Sequence, residues 1–252
     1  MKTIAWFRND LRILDNPAFT AAMTNATSGC LALFFITPRQ WKLHNWGSPK
    51  AYFQLDCLLE LRKELDKLHV PLLVRSVHIQ DDIPKLVHSC ATQYGCHQVH
   101  ANRDCGLDEI RRDDKTRAYL ASDEITFTMH DGNSILPVHE ITTGKGTPYG
   151  VFSPFSRTWK KALLEQWTDD TPIHAPQEDT GIRSCEIPKQ LEDFPAWTGR
   201  SDWTGGEHEA KSRLDTFIDT PVRDYSKNRD TPSIKGTSTL SPWLSSGSLS
   251  AS

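Results

Sequence analysis

Apolar and polar positions follow two alternating periods through the first half of the chain. Residues 3–7 form a short β-rich run, and residues 30–36 (Cys-Leu-Ala-Leu-Phe-Phe-Ile) form a continuous apolar run, the kind buried on both faces of a parallel sheet. Residues 71–77, 98–102 and 125–129 add three further strand-like runs. Between them apolar residues recur at helical spacing. Ala18, Phe19, Ala21, Ala22 and Met23 follow an Asp15-Asn16-Pro17 start, and Tyr52, Leu55, Leu58, Leu61, Leu65 and Leu68 follow Ser48-Pro49. Two more helices are predicted, one capped by Asp81-Asp82 and running to Tyr94, the other from about Asp108 to Leu120. Strands alternating with helices predict an α/β fold, a doubly wound five-stranded parallel sheet whose ligands sit beyond the carboxyl ends of the strands.

Three departures from a plain dinucleotide fold follow. No Gly-x-Gly-x-x-Gly succeeds the first strand, where the turn reads Arg8-Asn9-Asp10-Leu11-Arg12, and the glycines of 144–150 have the wrong spacing for a phosphate loop. A long polar loop is expected over 37–47. From 131 to 200 periodicity weakens and prolines become frequent, which reads as an ordered linker crossing a surface before helical character resumes at 207–217. The expected organisation is an α/β domain over 1–131, a linker over 132–200 and the start of a helical domain over 201–252.

The last stretch carries candidate chemistry. Gly236 is followed by the hydroxyl run Thr237-Ser238-Thr239 and by Leu240-Ser241-Pro242-Trp243. Ser241 is expected as N-cap with Pro242 at the first helical position, leaving the N–H groups of 237–241 free to face a phosphate. No C-cap is read after this helix, and Trp243, Leu244 and Leu249 have no evident partners in the sequence, so the chain reads as the front part of a larger molecule.

A net charge of −3 excludes a uniformly basic nucleic-acid coat and leaves room for a local basic patch. No apolar run approaches the ~20 residues of a membrane span, and a cytoplasmic protein is expected. The six cysteines show no Cys-x-x-Cys, which argues against a disulfide framework and against zinc; no metal site is expected.

Five segments in register carry a resemblance: Trp6-Phe7-Arg8-Asn9-Asp10-Leu11-Arg12 with Asp15-Asn16; Thr37-Pro38-Arg39-Gln40-Trp41; Phe152-Ser153-Pro154-Phe155; Trp159-Lys160; and Gly236 to Pro242. Together the chain resembles the photolyase/cryptochrome family, and most of all the bacterial class I cyclobutane pyrimidine dimer photolyases with a folate antenna. The resemblance implies an antenna domain, a linker and the first segment of an all-α FAD-binding domain. It implies a lyase in which reduced FAD, excited directly or through the antenna, donates an electron to a pyrimidine dimer flipped out of damaged DNA. By the same resemblance Tyr225, Thr237, Ser238, Thr239, Leu240 and Ser241 contact FAD. His44, Asn45, Asp108 and Glu109 hold 5,10-methenyltetrahydrofolate, with Glu109 as anchor. Arg229, and more weakly Lys160 and Lys161, approach the DNA backbone.

A monomer is expected, and no catalytic residue is assigned within these 252 residues. The family's usual Asn-Glu reads Asp108-Glu109 here, which removes one amide donor. Since family members are about twice this long, the chain alone is expected to be inactive. A cryptochrome photoreceptor and a stand-alone pterin- or nucleotide-binding module remain open as alternatives.

Overall fold

The computed structural model describes residues 1–78, 80–137, 139–166, 172, 174–197, 203–219 and 221–251. The chain begins with β1 (Lys2–Trp6), α1 (Pro17–Asn25), β2 (Cys30–Ile36), α2 (Pro38–Leu43), α3 (Ser48–Lys67), β3 (Leu72–Ser76), α4 (Ile83–Tyr94), β4 (Cys96–Asn102), α5 (Leu107–Ala121) and β5 (Thr126–His130). The five strands form one parallel sheet in the order β3-β2-β1-β4-β5. This is the expected doubly wound architecture, with the direction of winding reversing between β1 and β4.

Every residue of β2 is buried, because helices cover both faces. On one face Ala5, Phe7, Ala32, Phe34, Leu72 and Val74 meet α1 and α3. On the other Ile4, Trp6, Leu31, Leu33 and Leu73 meet α4 and α5. Alternate residues of each strand thus supply two separate cores.

Local chemistry accounts for most helix starts. The Asn16 side chain accepts the Phe19 N–H at 3.1 Å and caps α1, as the Asp15-Asn16-Pro17 sequence predicts. Several other expectations need correction. Residues 37–47 are not a loop throughout, since Pro38 opens the six-residue α2 and its buried Trp41 stacks on Trp46. A helix of this length is too short to show a period. The stretch 131–200 contains α6 (Phe152–Gln166), because Pro154 falls in the first turn, where its missing N–H costs no hydrogen bond. Gly47 and not Ser48 occupies the N-cap of α3, and Asp82 makes no side-chain cap to α4.

The helical segment comprises α7 (Glu207–Asp219), α8 (Tyr225–Asn228) and α9 (Ser241–Ser246), while the expected boundary at 200/201 lies outside the described residues. Ser241 is the first residue of α9 and Leu240 its N-cap, with no side-chain cap bond. A C-cap is present: Gly247, at φ 70°, ends α9 in the left-handed conformation. Its neighbour Asn9 leaves no space for a side chain at 247. Trp243 has partners after all. It is fully buried, meets Phe53 of α3 edge-on at 5.4 Å and donates its indole N–H to the Thr204 carbonyl at 3.0 Å.

Residues 174–194 run back over the α/β unit as a strap. Gln177 accepts the Cys30 N–H at 2.6 Å and donates to the carbonyls of Cys30 and His69, while Ile187, Leu191 and Phe194 enter the core.

A buried polar node sits where β1 and β4 diverge. The Asp10 carboxylate accepts from the Arg8 N–H at 2.6 Å and from the Asn102 amide at 2.6 Å. Asn102 donates also to Asn16 Oδ1 at 2.8 Å and accepts the Ala18 N–H at 3.2 Å. Beside it, the buried Arg12 guanidinium donates to the carbonyls of Asp15, Gly132 and Gly247. Glu207 completes the clamp by accepting the N–H groups of Ile13 and Leu14 at 2.8 and 3.0 Å. Replacing Asn102 with alanine removes three bonds and leaves Asp10 short of a donor, so Asn102→Ala is expected to lower stability by about 3 kcal/mol. Urea unfolding checks this, and a loss below about 1 kcal/mol contradicts it.

A second buried group makes stability depend on pH. His100 on β4 and His130 on β5 meet at 3.0 Å (Nδ1 to Nε2), and His100 Nε2 donates to Gln98 Oε1, which also accepts from Asn25. Burial, reinforced by His130, pulls the His100 imidazole down from 6.5 to about 4; Asp131 opposes the burial that lowers His130. Between those values the unfolded chain binds a proton that folded His100 refuses. Stability therefore falls as pH drops through this window, by as much as about 3 kcal/mol. Urea midpoints of wild type and His100→Gln, taken near pH 7 and about pH 4.5, are expected to show a smaller acid loss in the variant. Parallel losses contradict the assignment.

Candidate cofactor-binding site

A cleft of about 170 Å³ opens at the carboxyl ends of β1 and β2. Trp6 and Arg8 supply its floor, Trp41 and His44 come from α2 and the residue after it, and Glu109 and Arg112 come from the first turns of α5. The switch-point location is where a doubly wound sheet is expected to bind a ligand.

Charge is concentrated on the floor. Arg8 pairs with Asp113 at 2.9 Å and Asp104 at 3.4 Å, while Arg112 pairs with the same carboxylates at 3.0 and 3.2 Å. The quartet is electrically balanced, which is how four buried charges avoid an uncompensated desolvation cost. The Arg8 guanidinium also lies 4.0 Å over the Trp6 ring. Burial, with Arg112 beside it, lowers the Arg8 pKa against the raising effect of both aspartates. Arg8 Nε is buried without an acceptor among the described residues, so the floor retains one unsatisfied donor.

The wall beside it is shaped by a sharp turn. Asn45 takes φ 58°, and the chain folds back so that the Trp46 N–H donates to the Trp41 carbonyl at 2.9 Å and the two indoles stack at 4.9 Å and 11°. The Gln40 amide donates to His44 Nε2 at 2.8 Å, which places the ring proton on Nδ1. Across the cleft Glu109 is half-buried, with its carboxylate folded over Gly106, the N-cap of α5.

Of the four antenna residues expected from the sequence, His44 and Glu109 line this cleft. Asp108 lines an adjoining groove of about 330 Å³ and pairs with Arg111 at 3.4 Å, and Asn45 is exposed outside the lining. Sequence reasoning missed the charge quartet and both tryptophans of the wall. Arg8 and Trp6 stood within a quoted motif without a physical role. Asp113 and Arg112 are hidden in α5 among charges that read as a solvated face.

The expected flavin segment lies on the helical side. Tyr225 opens α8 and is exposed, with Arg229 immediately past that helix; the Arg229 guanidinium stands 5.9 Å from the Tyr225 ring centroid and 3.5 Å from Asp230. Gly236 packs against Asn228 too closely for any side chain. Beyond it the N–H groups of Thr237, Ser238, Thr239, Leu240 and Ser241 donate to no described residue. Thr239 adopts φ 51°, a strained conformation for a β-branched residue, and Leu240 and Trp243 anchor the segment in the core. The result is a row of free donors on a fixed support. The dipole of the six-residue α9 adds little, so the donors carry the phosphate reading. Lys160 and Lys161 are exposed on α6, where Lys161 faces Glu165 at 3.9 Å.

Among the described residues no helix is long and apolar enough to cross a membrane, and no group of three or more His, Cys, Asp or Glu is placed to hold a metal ion. A family model for DNA photolyase matches residues 3–177. A deoxyribodipyrimidine photo-lyase of Vibrio cholerae is 32% identical over 250 residues, covering 98% of this chain and 53% of that protein. Two solved structures share the fold. A class III photolyase of Agrobacterium tumefaciens has TM-score 0.74 at 24% identity, covering 99% of this chain and 51% of that one. A cryptochrome of Synechocystis sp. has TM-score 0.78 at 21% identity, covering 99% and 53%. The chain spans about half the length of these relatives. With the match over residues 3–177 coinciding with the sheet, the cleft and its charged floor, the chain belongs to the DNA photolyase family.

Proposed function

We propose that this chain is the antenna-bearing part, with the first flavin-contacting segment, of a light-dependent lyase that splits cyclobutane pyrimidine dimers in DNA. The observation that carries the reading is the cleft at the switch point, lined by His44, Glu109 and Arg8, whose Nε has no acceptor among the described residues. The family relationship and the name of the Vibrio cholerae relative support the reaction.

The residues fit a pterin. A carboxylate such as Glu109 accepts two N–H bonds from a planar amide edge, the fork geometry that makes such pairs strong. His44 Nδ1–H is free to donate, since Gln40 engages the other nitrogen. Arg8 Nε offers a further donor at depth. Bound there, 5,10-methenyltetrahydrofolate supplies light absorption and passes the excitation to the flavin.

The residues of the second segment fit a diphosphate. Five consecutive free N–H groups and the hydroxyls of Thr237, Ser238 and Ser241 bind and orient it, and Tyr225 is assigned a further contact to it. Reduced FAD, when bound, supplies the electron that opens the dimer. Arg229, with Lys160 and Lys161, contacts phosphates of the damaged strand, positioning it without reading its sequence. The boundaries proposed for these parts are an α/β antenna domain over 1–131, a linker over 132–200 and the beginning of the flavin domain over 201–252.

Titration of the purified chain with 5,10-methenyltetrahydrofolate is expected to quench tryptophan fluorescence saturably, because Trp41 and Trp46 stand at the cleft. Glu109→Ala is expected to weaken that binding about tenfold or more, in keeping with about 1.5–3 kcal/mol for hydrogen bonds to a charged group. Absence of saturable quenching, or equal affinity in the variant, overturns the antenna assignment.

A photolyase of full family length carrying this sequence as its first half tests the other segment. There Thr237→Ala with Ser238→Ala is expected to reduce FAD retention, at about 0.5–1.5 kcal/mol per hydroxyl contact. Arg229→Ala is expected to leave FAD in place and to lower the salt slope of damaged-DNA binding by about one. Loss of flavin in Arg229→Ala, or full occupancy in the hydroxyl double variant, reverses the assignment.

A further inference from the structure

One wall of the cleft is a layered stack. Asn45, at φ 58°, turns the chain back so that Trp46 lies on Trp41 with 4.9 Å between ring centroids and 11° between ring planes, and the Trp46 N–H donates to the Trp41 carbonyl at 2.9 Å. Trp41 is buried, and Phe194 of the strap meets it edge-on at 6.5 Å, which ties the inner ring to the core. Trp46 is half-buried. Over its ring, at 4.0 Å from the centroid, stands the ammonium of Lys50. That lysine is the third residue of α3, where the helix dipole disfavours a cation, and burial lowers its pKa with no charged group among the described residues to offset it. The indole face is the partner that holds it there. Both tryptophans line the cleft together with Glu109.

We propose that this stack makes the cleft selective for a flat, conjugated ring system, with Trp46 as the specificity-determining residue and Lys50 as the positioning residue that locks it. The inference rests on the antenna reading of the cleft and names what the cleft discriminates. A fused heteroaromatic ring gains from an indole as a nucleic-acid base gains from an aromatic platform, by dispersion and quadrupole contacts between flat surfaces. A ligand that is not flat keeps its hydrogen-bonding edge but brings fewer atoms against the wall. Because the turn, the stack and the lysine fix the wall in advance, no rotamer has to be ordered on binding. Among reduced folates the methenyl bridge between N5 and N10 closes a further ring and extends conjugation across it, whereas unbridged tetrahydrofolate leaves its two aromatic parts free to turn. Both forms carry the same pterin amide edge for Glu109. The wall therefore separates two ligands that the hydrogen bonds do not.

Equilibrium dialysis of the purified chain against 5,10-methenyltetrahydrofolate and against tetrahydrofolate, without oxygen, tests the wall. Wild type is expected to prefer the bridged form about fivefold or more, and Trp46→Leu to lose most of that preference. Glu109→Ala weakens both ligands alike and keeps their ratio. Lys50→Ala is expected to weaken the bridged form about two- to fivefold, the range of an exposed cation–ring contact, while Lys50→Arg retains the affinity. An equal preference in wild type and a folded Trp46→Leu overturns the proposal and leaves the antenna reading standing; absence of saturable binding by wild type overturns both. Unchanged affinity in Lys50→Ala overturns its positioning role. Urea unfolding identifies any variant that has lost its fold, and if Trp46→Leu is one, the exposed Lys50→Ala decides.

Discussion

The Asp10 carboxylate is the group on which the arrangement of the molecule depends. It is buried at the point where β1 and β4 part, and burial raises its pKa against the lowering effect of the Arg8 N–H, the Arg12 charge and the Asn102 amide. A carboxylate in that position tolerates no missing partner. Its satisfaction therefore fixes the turn after β1, the end of β4 and the start of α1 together. Because the same turn sends Arg12 to Gly132 and Gly247, and offers two N–H groups to Glu207, the linker and the helical segment inherit their placement from it. The cleft is a by-product of this geometry: Arg8, two residues before Asp10, is left at its floor.

Much of the α/β unit was legible because the burial signal is strong. Cys30–Ile36 is apolar at every position, and a run buried on both faces leaves no doubt about its layer. The Asn16 cap was legible for a different reason, namely that residue type and the following proline state the local geometry outright. Elements that failed to register had no such signal. The helix α2 spans less than two turns, and α6 carries a proline that reads as a breaker unless its first-turn position is known.

The site divides in the same way. His44 and Glu109 came from a motif resemblance, and the fold brings them to one cleft. The quartet Arg8, Asp104, Arg112 and Asp113 could not be read, since its members are scattered over three segments and look like ordinary surface charge until the sheet brings them together. Ser241 shows the converse error. Its identity suits an N-cap, but Leu240 already sits at that position with its side chain in the core, and tertiary packing decides the register of a helix this short.

The turn around Gly247 bears on how the molecule is made. Leu11 and Arg12 find acceptors at Ser246 and Gly247, and Ile13 and Leu14 find theirs at Glu207, all supplied by residues translated long after the sheet. At synthesis rates of about 5–20 residues per second, the α/β unit leaves the ribosome on the order of ten seconds before its first loop can be completed. During that interval a strand-rich nascent chain exposes four unpaired backbone or guanidinium donors and the α3 surface that Trp243 later covers. The connection between the two ends of the described chain is thus also a timing constraint, and the ribosome-bound stage is when this protein is most open to chaperone capture or misassociation.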